Sequence, residues 1–154
     1  MFREMRKKER ALGMEESAEI LKNNTYGVLS TVGPDGQPYG LPLSYAYRDN
    51  AIYFHSAVEG QKLDNLEANN RVSFCVVGQT CTLPEKFSTA YESVIAFGEV
   101  SELTGEEKDQ ALLELVLKYS PDFVEEGKAY IQRGGPRARV FKISISHMTG
   151  KGRR

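Results

Sequence analysis

The sequence has no long apolar run, no excess charge of either sign, and few of the residues that build disulfides or metal sites. No apolar stretch approaches the ~20 residues that a membrane-spanning helix needs. The first ten residues, MFREMRKKER, are too charged for a secretory leader, so a cytoplasmic protein without a membrane partner is expected. Twenty Lys and Arg against twenty-one Asp and Glu leave a net charge of −1, without the basic excess of a general nucleic-acid binder. Basic residues do gather after Arg133, which would add positive field to an anionic ligand site. The two cysteines, Cys75 and Cys81, lie six apart with no histidine pair nearby, which is neither a disulfide framework nor a zinc spacing. No metal site is expected. No nucleophile–base pair or paired-carboxylate site stands out, and there is no internal repeat.

What is present fits one domain over residues 1–154, with 40% hydrophobic residues for a core. Early acids and Ile20 and Leu21 on one side predict a helix over about 14–24. β-rich segments follow at 26–32, 38–47, 51–54, 71–77, 91–103 and 139–145, with turns at Gly33-Pro34-Asp35-Gly36 and Asp49-Asn50. Gly98 inside the fifth segment marks a bulge or a close backbone approach. Residues 78–90 read as a long loop, Thr104 to Glu107 as a capping box opening a helix, and 122–131 as another short helix. Gly134-Gly135-Pro136 breaks the chain, and about 146–154 is a basic polar tail. Six strands with helices around them predict a mainly β fold, an antiparallel barrel with peripheral α elements.

The most informative stretch is IYFHSAVEGQKLDNL at 52–66. A strand, a polar turn at His55-Ser56-Ala57 and a helix carrying Lys62 make a seat for an anion. Helix N-terminal amides are unpaired and the dipole there is positive. Ser56 adds a hydroxyl and Lys62 a mobile charge, so a phosphate is the natural guest.

Four stretches together resemble the pyridoxamine 5'-phosphate oxidase-like, FMN-binding split barrels, and more narrowly their nitroimidazole-resistance (Nim) branch. They are YGVLSTVGPDGQPYGLPLSYAY at 26–47, IYFHSAVEGQKLDNL at 52–66, PEKFSTAYESVIAFGEV at 84–100 and ISHMTGKGR at 145–153. The resemblance implies a six-stranded split barrel and a homodimer with FMN at the subunit interface. It implies that His55, Ser56, Ala57 and Lys62 hold the ribityl phosphate, while Leu41, Pro42, Leu43 and Ser44 lie along the isoalloxazine, largely through backbone groups. Ser93 and Val94, with Thr149, Gly150 and Lys151, would close the cleft from the facing subunit. Many relatives have a histidine where this chain has Gln61, which can donate a hydrogen bond but brings no charge. His55 is the candidate catalytic side chain; His147 reads as structural. The function implied is an FMN-dependent oxidoreductase. It would take electrons from a donor such as NAD(P)H and reduce a small acceptor such as a nitroaromatic. The alternatives are a flavin sensor or store without turnover, and a haem-binding split barrel with His55 or His147 as axial ligand.

Overall fold

The computed structural model of the chain describes residues 2–135 and 137–154; the predicted break at Pro136 lies outside them. After a short turn and the two-residue strand β1 (Ala11–Leu12), helix α1 (Met14–Asn23) forms where the acids Glu15 and Glu16 occupy its first turn. It buries Ser17, Ile20 and Leu21 against the sheet. Strands β2 (Tyr26–Val32) and β3 (Pro38–Ser44) then form a hairpin. Gly36 takes the left-handed conformation its turn needs (φ 84°), and the Gln37 amide donates to Asp35 Oδ1 at 3.1 Å. Strands β4 (Ala46–Arg48) and β5 (Ala51–Ser56) are joined by Asp49 and Asn50, both at positive φ (49° and 60°). That is the two-residue primed turn whose twist suits a hairpin. Helix α2 (Gln61–Ala68) leads to the long strands β6 (Arg71–Leu83) and β7 (Ser88–Leu103). Helices α3 (Gly105–Tyr119) and α4 (Val124–Gln132) precede the last strand, β8 (Arg139–Arg153).

All pairings are antiparallel, in the order β3-β2-β6-β7-β8-β5-β4, with β1 added to the outer end of β8. The sheet is open, yet its two end strands are consecutive in the chain. Only Tyr45 separates β3 from β4, so the ends of a strongly curled sheet meet through one covalent link. This is the split barrel. Its interior holds Leu29, Phe54, Phe74, Val76, Val94 and Ile143, all fully buried, and α1 and α2 close it.

Several expectations need correction. Eight strands are present among the described residues instead of six, because β1 and the three-residue β4 are too short to show a sequence period. Residues 78–90 are not an open loop. Strand β6 runs on to Leu83, a 3-10 turn spans Pro84–Lys86, and β7 starts at Ser88. Polar residues on both faces hid this ribbon, since a strand with no buried face shows no alternation. The 146–154 segment is not a tail either, for β8 continues through it, paired with β7 as far as Tyr91 opposite Arg153. Tyr45 interrupts the predicted 38–47 strand, and His55 and Ser56 end strand β5 instead of forming a turn. Thr104 holds the N-cap position of α3, but its side chain makes no capping bond. Gly98 does mark both a bulge and a close approach. The β7–β8 register shifts between Phe97 and Gly98, and a Cβ on Gly98 would lie 2.2 Å from the Ser144 carbonyl oxygen. No helix among the described residues is long and apolar enough to cross a membrane.

Candidate functional site

Strand β5 brings the anion seat to the rim of the barrel. Its alternation buries Ile52, Phe54 and Ser56 and leaves His55 exposed. Ser56 is buried, and its hydroxyl donates to the Ala57 carbonyl at 3.0 Å, which fixes the chain as it leaves the strand. Ala57 itself is exposed. Gly60 then opens α2 with a left-handed φ of 147°, and its carbonyl accepts from the amides of Leu63 (3.1 Å) and Asp64 (3.2 Å). The amides of Gln61 and Lys62 remain as first-turn donors. Lys62 is half-buried with its Nζ 5.9 Å from the Phe54 ring centroid, and burial lowers its pKa. No ion pair among the described residues includes Lys62. A partly desolvated cation without a carboxylate, beside free helix amides, suits an incoming anion.

The structure ties this seat to strand β3 through a polar relay that the sequence did not reveal. Gln61 Nε2 donates to Asn65 Oδ1 (2.7 Å), Asn65 Nδ2 to Thr31 Oγ1 (2.9 Å), and the Thr31 hydroxyl to the Tyr39 carbonyl (3.2 Å). Asn65 and Thr31 are each 1% exposed, so neither has water as an alternative partner. The available signal was a polar residue at a core position of each element. Thr31 has the parity of Gly27 and Leu29, and Asn65 lies between Leu63 and Leu66. An Asn65→Ala chain removes the donor to Thr31 Oγ1 and the acceptor of Gln61 Nε2. Its stability is expected to fall by about 1 kcal/mol, which thermal or urea unfolding would measure.

Leu41, Pro42, Leu43 and Ser44 occupy the edge strand β3, opposite Leu29, Val28, Gly27 and Tyr26. Leu41 and Leu43 pack on the core, while Pro42 and Ser44 face the other way. The outer side of β3 has no partner strand among the described residues, so its backbone donors and acceptors are open to a ligand. The third group also assembles, since Ser93 pairs with Lys151 and Val94 with Gly150, and Thr149 lies opposite Ile95. Val94 is fully buried and Gly150 lies under α1, where a Cβ would fall 2.1 Å from Ser17 Oγ. Ser93, Thr149 and Lys151 face outward. Burial nudges the Tyr91 phenol up, but Arg10 and Lys151 beside it prevail and hold it below its ordinary value.

The relay from the seat reaches β3 at Tyr39, two residues before Leu41, and the third group stands apart. Strands β2 and β6 separate β3 from β7, which at ~4.8 Å per strand is about 14 Å. The intervening outer face is apolar and open, with Tyr26 64%, Val28 38%, Val77 55% and Ile95 39% exposed. A groove of about 940 Å³ lies farther along that face, among Ser30, Ser73, Phe97 and Ser146, and includes none of the expected site residues. It lacks the α2 amides and Lys62, so it does not displace the rim as the anion site. His147, opposite Phe97, stacks on the Phe2 ring at 4.3 Å, as a structural residue would. Sequence reasoning also missed Tyr119, whose hydroxyl meets the backbone at Tyr45. Burial pushes this phenol up, and contacts with the Tyr45 backbone and the Ser44 hydroxyl pull it partly back.

Residues 14–152 match the sequence profile of the pyridoxamine 5'-phosphate oxidase family. Among solved structures, the chain is similar to a conserved hypothetical protein from Mycobacterium tuberculosis (TM-score 0.81, 21% identity, 97% of this chain and 90% of the other). It is similar to a candidate 5-nitroimidazole antibiotic resistance protein from Bacteroides thetaiotaomicron (TM-score 0.75, 23% identity, 92% and 86%). It is also similar to an FAD-binding protein from Mesorhizobium loti (TM-score 0.63, 26% identity, 94% and 98%). The first two likenesses, under 25% identity, bear on the fold alone. No curated protein shows significant similarity to the chain.

Proposed function

Because the chain belongs to the pyridoxamine 5'-phosphate oxidase family, we propose that it binds FMN and acts as an FMN-dependent oxidoreductase on a small acceptor such as a nitroaromatic. One observation carries the reading: an anion seat of first-turn amides and an ion-pair-free Lys62, tied by hydrogen bonds to an edge strand with open backbone groups. The seat takes the ribityl phosphate, and Leu41–Ser44 take the ring. The FAD-binding relative supports a flavin, and the acceptor class rests on the resemblance of the four sequence stretches to the nitroimidazole-resistance branch.

The isoalloxazine, when bound, supplies hydride and electron transfer between a nicotinamide donor and the acceptor. The protein's own residues bind and orient. Lys62 and the amides of α2 neutralise the phosphate, Gln61 holds the helix start in register through Asn65, and the β3 edge fixes the plane of the ring. His55, exposed beside the seat, is within reach of solvent and of a substrate edge, and is the candidate for contact with the reacting molecule. Two copies make the full cleft in this reading. Within one protomer the third group lies three strands, ~14 Å, from the β3 edge. The exposed apolar face between them suits burial against a second copy. Ser93, Thr149 and Lys151 of one protomer then close the ring site of its partner.

The test is an FMN titration of purified protein followed by its visible spectrum, with a calibrated sizing column beside it. Saturable binding with a shifted flavin band, and elution as a dimer, is the expected result. NAD(P)H oxidation coupled to nitroaromatic loss then separates an enzyme from a flavin store, which binds FMN but accelerates nothing. A colourless protein that takes up no FMN overturns the reading.

A further inference from the structure

Tyr45 joins the two end strands of the barrel, and it is held from outside by the last turn of α3. The Tyr45 amide donates to the Tyr119 hydroxyl at 2.9 Å. That hydroxyl lies within donating distance of two carbonyls, Tyr45 O at 2.6 Å and Thr25 O. The Ser44 hydroxyl acts on the same phenol. Tyr45 is itself fully buried, and its own hydroxyl donates to the Leu21 carbonyl at 2.5 Å, so the residue is anchored at both ends. One side chain from a helix outside the barrel therefore satisfies the backbone at the point where β3 bends into β4. The four residues before that bend are the edge strand proposed to carry the flavin ring.

We propose that Tyr119 is a positioning residue for the flavin strand: its hydroxyl fixes the Ser44–Tyr45 bend and thereby the direction in which the Leu41–Ser44 edge presents its backbone groups. This rests on the FMN reading for its consequence, but not for its geometry. Edge strands have a partner on one side only, so their direction depends on what holds their ends. The Thr25 carbonyl belongs to the turn before β2, so the same hydroxyl also sets β3 against the start of the strand it pairs with. Phenylalanine at 119 keeps the ring and removes the one group that meets the Tyr45 amide. The strand then loses its fixed end without losing its hydrophobic packing.

The experiment compares wild type, Tyr119→Phe and Glu114→Gln. The last breaks the Arg48–Glu114 pair (2.7 Å) between the same helix and β4, and leaves the phenol in place. Amide hydrogen exchange over residues 41–46 is measured without flavin, and FMN affinity and the bound-flavin spectrum are measured separately. Tyr119→Phe is expected to exchange faster over 41–46, to bind FMN about fivefold to tenfold more weakly, and to shift the visible band. Glu114→Gln is expected to match wild type in all three. Unchanged exchange over 41–46 in Tyr119→Phe overturns the proposal, whether or not FMN binds. Faster exchange with wild-type affinity and spectrum overturns the link from strand to flavin. If exchange rises while wild type itself binds no FMN, the positioning of β3 stands and the FMN reading falls. Should Tyr119→Phe not fold, Tyr119→Met, which also lacks the hydroxyl, replaces it under the same criteria.

Discussion

A Lys62→Met chain is expected to bind FMN about 10- to 100-fold more weakly than wild type, since a hydrogen bond to a charged group is worth about 1.5–3 kcal/mol. Methionine preserves the stem that packs beside Phe54 and removes only the ammonium. The effect is large because Lys62 meets no competing carboxylate, so its charge is available in full to the ligand. Burial also lowers its proton affinity in the empty protein, and a bound phosphate dianion raises it again. Binding therefore weakens at alkaline pH in wild type, and that alkaline loss is absent from Lys62→Met. The folded state should suffer little, because a half-buried cation without a partner is not a source of stability. Fluorescence quenching of FMN on titration, at two salt concentrations, measures both the loss and its electrostatic origin. Equal affinities in the two chains would mean that the phosphate sits elsewhere.

How much of this was legible in the sequence depended on whether a residue's environment is set locally. The turns at Gly33–Gly36 and Asp49-Asn50 were readable because positive φ restricts residue choice on the spot. Helix α1 and the bulge at Gly98 were readable for similar local reasons. The strand at Ile52–Phe54 and the helix carrying Lys62 were legible from composition, but the strand's extension through His55 and Ser56 was not. What the sequence could not carry was everything set by long-range pairing. The ribbon from Thr80 to Ala90 reads as loop because neither of its faces is buried. The Gln61–Asn65–Thr31–Tyr39 relay spans two elements, and no local rule brings Asn65 to Thr31. Tyr119 carries no local mark of its role on α3, and only the closure of the barrel through Tyr45 places its hydroxyl on a backbone amide 74 residues away. The candidate ring contacts at 41–44 came from resemblance. In the structure they lie on a strand edge that has no partner strand among the described residues.

A Lys118→Met chain is expected to be more stable than wild type at neutral pH. Lys118 stands next to Tyr119, and its Nζ is buried with no hydrogen-bond partner. The ammonium lies 4.0 Å from the Tyr45 ring centroid and 5.4 Å from that of Tyr119. The aromatic faces return part of the lost hydration, about 0.5–2 kcal/mol, but they do not replace three hydrogen bonds. Burial accordingly lowers the Lys118 pKa to about 8. A fall of that size corresponds to roughly 3 kcal/mol at one unit per 1.4 kcal/mol. Part of the side chain keeps contact with water, which screens the charge and leaves a net penalty of about 1–2 kcal/mol. The sign follows from where the proton prefers to be. Between about pH 8 and the ordinary lysine value of 10.5, the unfolded chain holds this proton and the folded chain does not. Stability from this group therefore rises with pH across that window, and below pH 8 the full penalty is present. Methionine fills the same space without a charge to bury, so the variant gains most below pH 8 and gains nothing near pH 10.5. Urea unfolding of both chains at pH 6.5, 8 and 10 measures the difference directly. A gain that is absent at pH 6.5, or that does not shrink toward pH 10, would mean that the ammonium keeps its water in solution and does not lie sealed against Tyr45.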